Sequence, residues 1–218
     1  MRHLRLIVLA TFAVALCAAP VAGAHDPHED RGRPVVAPAQ DKWLGEFWAQ
    51  IYSLPVPLNP FAGNGDPCLE VGHKVIQQVP GPCIVERGTA LTLGFGTAWS
   101  SAEDPFPKSR RKQLALARAA DEDLVAGMTV TVDDADPVEI RTPRFELFSP
   151  QRRVLLPADN VFELAGPRFV TLSAHGWGAV VRGLGVGEHE IVGDTLFTDG
   201  EHFVVSHVVT VVPRHHGD

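Results

Sequence analysis

The chain has 218 residues, of which 19 are Lys or Arg, 26 Asp or Glu and 10 His, for a formal net charge of −7. That length suits one domain with a substantial core. The acidic balance is wrong for a protein that holds nucleic acid through its phosphates or adheres to an anionic membrane surface.

Arg2 and Arg5 precede an apolar run from Leu6 to Ala19, followed by Pro20 and the small-residue site Ala22-Gly23-Ala24. This order of charge, apolar run and A-x-A site predicts a secretory signal peptide over 1–24, cut before His25. Leu16 stands where a lipoprotein signal at Cys17 would need a small residue. No other stretch approaches the ~18 apolar residues of a membrane span, so no transmembrane segment is expected after cleavage. The mature chain then has 194 residues, with 17 basic and 26 acidic side chains and a balance of −9. Its cysteines are Cys68 and Cys83, 15 positions apart. In an oxidising compartment a disulfide is the expected state. A free thiol pair and half of a metal site are the alternatives, but the spacing is far from C-x2-C.

Residues 25–40 are rich in Pro, charge and small side chains without periodicity, and read as a disordered lead-in. The ordered domain is expected over 41–213, with a flexible tail at 214–218. From Asp41, Trp43, Leu44, Phe47, Trp48, Ile51 and Leu54 fall within an arc of roughly 140° at 100° per residue. This is an amphipathic helix ended by Pro55 and Pro57. Its polar face has too little basic character for a membrane surface, so docking on the domain's own core is expected. Turn material follows over Leu58–Pro67, then β-like runs at Lys74–Val79, Cys83–Glu86 and Ala90–Phe95.

Ser109–Ala126 reads as a second helix with Gly127 as its C-cap. Its basic residues Arg110, Arg111 and Lys112 open it and Asp121, Glu122 and Asp123 close it, against the helix dipole. Packing through Leu114, Leu116, Ala117, Ala120, Leu124 and Val125 is therefore expected to hold it. Short strands of period two follow: Met128–Asp133, Val138–Arg141, Arg144–Phe148, Arg153–Leu156, Arg168–Ser173, Ala179–Gly183, Glu188–Val192 and His202–Val212. The pattern predicts a mainly β fold, an antiparallel β-sandwich of immunoglobulin-like or jelly-roll-like kind, with one packed N-terminal helix and one inserted helix.

Several landmarks occur in a fixed order. They are EFWAQIYSLPVPLNP at Glu46–Pro60, then Cys68 and Cys83, Val130–Asp133, Phe145–Pro150, Leu156-Pro157, GEHEI at Gly187–Ile191 and SHVVTV at Ser206–Val211. In this the chain resembles a family of uncharacterised exported proteins, found mainly in bacteria and salt-loving archaea. Those proteins have an N-terminal Trp-rich helix, two spaced cysteines and a closing G-x-H-x-I strand. The resemblance runs from Trp43 to Val212, with Phe47 and Gln50 where tryptophans are usual and His207 where an aromatic is expected. It implies the fold and secretion and carries no chemistry.

No catalytic, cofactor-binding or metal constellation stands out. His25 and His28 with Asp26, Glu29 and Asp30, and the pair His215 and His216, are weak metal candidates in tails that lack preorganised geometry. His73, His175, His189, His202 and His207 fall on separate elements. His207 alternates with Phe203, Val205, Val209 and Val211 and reads as a core histidine with one hydrogen bond. Asp133, Asp134 and Asp136 offer oxygens for Ca2+, yet Asp is also the ordinary turn residue and no bidentate Glu follows. G-x-S-x-G, an accompanied S-x-x-K and a Cys beside a His do not occur. Neither Gly94-Phe95-Gly96 nor Gly183–Gly187 sits between strand and helix as a phosphate loop does. The expected role is a binding or interaction module of the cell envelope or extracellular space, with an extracellular ligand or protein partner and no cofactor. Exposed Trp99 or Trp177 would serve such binding. The alternative is a secreted hydrolase acting on a polysaccharide or cell-wall component through paired carboxylates.

Overall fold

A computed structural model describes residues 34–63, 65–79 and 81–214. The predicted signal peptide, His25, His28, His215 and His216 lie outside them. The described chain is mainly β, with two sheets and two helices. No helix among the described residues is long and apolar enough to cross a membrane.

The first sheet is organised by one long strand, β10 (Arg168–Arg182). Along one side β10 pairs with β5 (Ala90–Ser100), and β5 leads on to β3 (Val75–Gln78) and the edge strand β2 (Cys68–Gly72). Along its other side three short strands lie end to end: β9 (Arg152–Leu156), β8 (Glu146–Phe148) and β1 (Val35–Pro38). The second sheet has the order β4-β12-β11-β6-β7. Its strands are Cys83–Glu86, His202–Val212, Gly187–Phe197, Val125–Val132 and Val138–Glu139. All pairings are antiparallel except β3 with β5 and β4 with β12, which are parallel.

Period two decides what each face of β10 meets. Trp177, Ala179 and Val181, with Leu91 and Leu93 of β5, share one core with Val85, Val130, Val132, Ile191, Val209 and Val211 of the second sheet. The alternate residues Val170, Leu172, Ala174 and Val180 face α1 (Asp41–Ser53), which buries Trp43, Phe47, Ile51 and Tyr52 against them. The amphipathic helix therefore docks on its own domain, as its pattern predicts. Gly45 is buried too, packed so closely that a Cβ there would come within 3.1 Å of the Ser149 Cβ.

Three expectations are corrected. Val35–Pro38 is not part of a disordered lead-in: its residues pair with Ala179–Arg182, since β10 offers an unfilled edge there. The runs predicted as Arg168–Ser173 and Ala179–Gly183 are one strand, and β5 likewise continues through Gly94 and Gly96. These glycines face Gly178 and Gly176 in register, so backbone fits closely where side chains could not. Finally, Gly127 caps no helix. Helix α2 (Arg110–Leu124) passes directly into β6 at Val125, and Gly127 lies within that strand opposite Leu196.

The disulfide is present. Cys68 and Cys83 are bonded, with Cα atoms 5.7 Å apart.

Candidate functional site: a buried histidine beside a basic cleft

Ser109 is the N-cap of helix α2, and its hydroxyl accepts a hydrogen bond from the Lys112 amide. The face it lays on β10 is not the leucine-rich one. Its buried residues are Gln113, Ala117 and Asp121, a stripe of spacing four. Opposite them β10 presents Thr171, Ser173 and His175, the polar end of the face that further along carries Trp177, Ala179 and Val181. Gln113 Nε2 donates to the carbonyls of Pro107 and Thr171, and its Oε1 accepts from Ser173 and Gln151. These hydrogen bonds fasten α2 at Gln113; of the residues that the pattern assigned to packing, Ala117 and Val125 are fully buried, while Leu114, Leu116, Ala120 and Leu124 are only partly buried.

At the end of this stripe lies His175, fully buried. Its Nδ1 is 2.8 Å from Asp121 Oδ2 and its Nε2 is 3.1 Å from Glu146 Oε1 on β8. The ring is packed between Phe148 and Trp177, at centroid distances of 5.1 and 5.2 Å. Beyond Trp177 the Arg141 guanidinium stacks at 4.3 Å and donates from Nε to the Val125 carbonyl. Burial pushes the Asp121 carboxyl above the ordinary carboxylate range, and the neighbouring His175 and Thr97 oppose that rise. Each of these two N···O contacts is held by one hydrogen, carried by the ring or by the carboxyl according to the tautomer.

Glu146 joins this buried cluster to the surface. Its Oε1 lies 3.3 Å from Arg118 Nη2, while Arg118 Nε donates to Glu122 at 2.9 Å. Arg118 also stands 5.7 Å over the Phe148 ring. These two side chains form one end of an open cleft of about 530 Å3, completed by Arg110, Arg111, Leu114 and Ala115. Arg110 is anchored by donating to the carbonyls of Ser149 and Phe148, both at 2.9 Å. Arg111 has no side-chain partner among the described residues.

The other candidates stay apart. His189 Nδ1 is 2.9 Å from Asp133 Oδ2, and the other Asp133 oxygen accepts from the Glu190 amide. Asp133 thereby fastens the turn at positive φ to β11. His202 pairs with Asp194 at the surface. His207 is buried on the core face beside Val209 and Val211, and burial lowers its pKa to about 4 while the Val79 backbone pulls the other way. His73 is exposed in the turn between β2 and β3. Trp177 lies in the core rather than on a binding face, and Trp99 is half-buried. Among the described residues no group of three His, Cys, Asp or Glu side chains is placed to hold a metal ion.

Asp121, Glu146 and Phe148 had no functional reading in the sequence. The one signal for Asp121 is its spacing of four from Ala117 and eight from Gln113, which puts the three on one helix face.

Comparison of the chain with protein-family models, curated proteins and solved structures gives no match.

Proposed function

We propose that the protein is an exported binding module of the cell envelope or extracellular space, and that the cleft between α2 and β8 is its binding surface. The observation that carries this reading is the cleft itself. It gathers Arg110, Arg111 and Arg118 beside Phe148 and Leu114 on a chain whose formal balance is acidic. Export is supported by the predicted signal peptide, by the disulfide and by the resemblance to exported proteins. We read the two sheets as an immunoglobulin-like or jelly-roll-like sandwich, a scaffold that presents binding sites at its margins. The hydrolase reading needs two carboxylates facing one cleft; Asp121 and Glu146 instead face the same imidazole, and Asp121 is fully buried.

Native mass spectrometry of the protein made by its own host tests both parts. The expected species begins at His25, lacks two hydrogens for the Cys68–Cys83 bond and carries an adduct that Arg111→Glu removes. A chain retaining Met1 inside the cell argues against export. An adduct unaffected by Arg111→Glu argues against the cleft.

A further inference from the structure

We infer that the margin of the first sheet beyond helix α2 is a docking surface for a lipid bilayer with anionic headgroups, entered by Phe106, Leu155 and Phe169 and rimmed by cations. It is a second surface, separate from the cleft between α2 and β8, and does not depend on it.

Period two puts Arg153 and Leu155 of β9 on one face with Phe169 and Thr171 of β10, Leu155 paired to Phe169 and Arg153 to Thr171. The opposite face of this segment is closed by α1, where Val154, Leu156, Val170 and Leu172 are buried. Helix α2 covers the first face only as far as Thr171, where the Gln113 amide donates to the Thr171 carbonyl and hydroxyl. Past that point the sheet runs on without cover, and Leu155 is 51% and Phe169 61% exposed. The loop from β5 to α2 is fastened at the same margin. The Ser101 amide donates to the Thr171 carbonyl, the Ser101 hydroxyl accepts from the Thr171 amide, and the Pro107 carbonyl shares Gln113 with Thr171. Just before Pro107 this loop presents Phe106, 58% exposed and at a φ of 58°. A bulky side chain at positive φ is strained. A ring left in water gives the fold no packing in return, so the strain marks Phe106 as a residue held outward for contact with something else.

The charge of this margin names the kind of bilayer. Helix α2 runs in the same direction as β10, since Gln113 meets Thr171 and Asp121 meets His175, so its first turn overlooks Phe169. Helical side chains lean toward the N-terminus, which brings Arg111 and Lys112 to the rim together with Lys108 just before the helix. Arg168 precedes Phe169 on β10. None of these four forms an ion pair among the described residues. Arg153 lies over the Phe169 ring, 4.1 Å from its centroid. Glu103 is turned inward, accepting from the Tyr52 hydroxyl and the Ser100 amide. The exposed acids of this end are Asp104, Asp159 and Glu163, and the cations outnumber them. The acidity of the whole chain, which argues against an anionic membrane, is therefore reversed here.

The apolar side chains project from a loop and two strands, and long cationic ones stand around them. That arrangement suits a boundary of headgroups over acyl chains: the two rings and Leu155 enter, while Lys and Arg keep their charged ends among the headgroups. An acidic polypeptide would meet the cations and leave the outermost rings in water. A sugar would find one side of the Phe169 ring already covered by Arg153.

Cosedimentation of the protein purified from its own host with sucrose-loaded vesicles is the test. Phosphatidylcholine alone is compared with phosphatidylcholine and phosphatidylglycerol in equal parts. The mixed vesicles are expected to bind at least about tenfold more tightly, because several Lys and Arg act together at an anionic surface. Arg153→Glu is expected to weaken that binding about tenfold. Phe106→Ala and Phe169→Ala are each expected to weaken it about fivefold through lost apolar burial. All three positions are exposed, so the melting temperature is expected to hold. Phe169→Trp is expected to keep the binding and to have its emission quenched by lipids brominated on the acyl chains, which leave the buried Trp43 and Trp177 bright. No binding to mixed vesicles, equal binding to both kinds, or a Trp at 169 that stays unquenched overturns the inference. Binding indifferent to Phe106 and Phe169 overturns it too, since attachment through another part of the chain gives that result. Retention by polyglutamate without retention by vesicles overturns it in favour of an acidic polypeptide partner.

Discussion

Cys68 and Cys83 lie on outer strands of different sheets: β2 ends the first and β4 ends the second, so their bond closes the gap between the sheets at that margin. The cross-link encloses only a short stretch of chain, but it ties together two layers that otherwise meet there through side-chain packing. Closing a loop of this length contributes about 3 kcal/mol in the chain-entropy account. Replacing both residues by Ala, or fully reducing the protein, is expected to lower the calorimetric Tm by roughly 6–12 °C for a domain of this size. Equal shifts in the two samples would show that the bond, rather than the cysteine side chains, is responsible; an unchanged Tm would rule out the staple.

His207 sets an acid limit. Its folded pKa, about 4, is below the ordinary 6.5, so protonation favours the unfolded chain. The contribution is fully present above pH 6.5 and is lost as pH falls from there toward 4, about 3 kcal/mol over the whole interval. Asp121 works in the opposite sense. Its raised carboxyl pKa favours the fold below the ordinary carboxylate value and gives that advantage up as pH rises through the folded value. Urea unfolding at steps between pH 7 and pH 4 should show a steep loss for the natural chain and a shallower one for His207→Phe. Parallel curves would exclude His207 as the source.

Removing the imidazole of His175 strands Asp121 in the interior. His175→Leu is expected to cost roughly 3–5 kcal/mol, the penalty for an unpaired buried charge. Asp121→Asn in the same chain should recover part of that loss, because the stranded group is then neutral. Denaturant unfolding of the two single variants and the double variant measures the coupling. Strictly additive losses would mean that the 2.8 Å contact contributes no interaction energy of its own.

The glycine-on-glycine pairing of β5 and β10 is expected to tolerate no side chain. A Cβ at Gly176 would strike the Phe95 carbonyl oxygen and lie 2.6 Å from the Gly96 Cα, and backbone cannot move aside as a side chain can. Gly176→Ala is expected to lose at least about 3 kcal/mol. Gly193, in β11, has nothing within 4 Å of the same construction, and Gly193→Ala should change stability by less than about 0.5 kcal/mol. Thermal melts of both variants compare them directly; equal losses would contradict the packing described for β5 and β10.

Both helices, most strands and the cross-link were legible in the sequence because each leaves a local mark: an apolar arc, a two-residue alternation, an even cysteine count. The failures share a cause. Val35–Pro38 is extended because β10 pairs with it, and nothing within those four residues announces a partner some 140 positions away. His175-Gly-Trp-Gly resembles a turn, yet it continues a strand because the facing segment is equally poor in side chains. The candidate site was the least legible part. Hydrophobic periodicity picked out Ala117 and Val125 but passed over Gln113 and Asp121, since a helix that also docks by hydrogen bonds hides polar residues. Asp121 looked like an acid badly placed against the helix dipole; in the fold it meets a histidine from a strand far along the chain.

The first sheet has its organising strand late in the sequence. Strands β1, β5, β8 and β9 are all made before β10 and pair with it. A growing chain that has reached Gly166 therefore holds most of the pieces of that sheet and not the strand that joins them, and α1 has only part of the surface it covers. Assembly has to wait for contacts of long sequence separation, which is slow by nature.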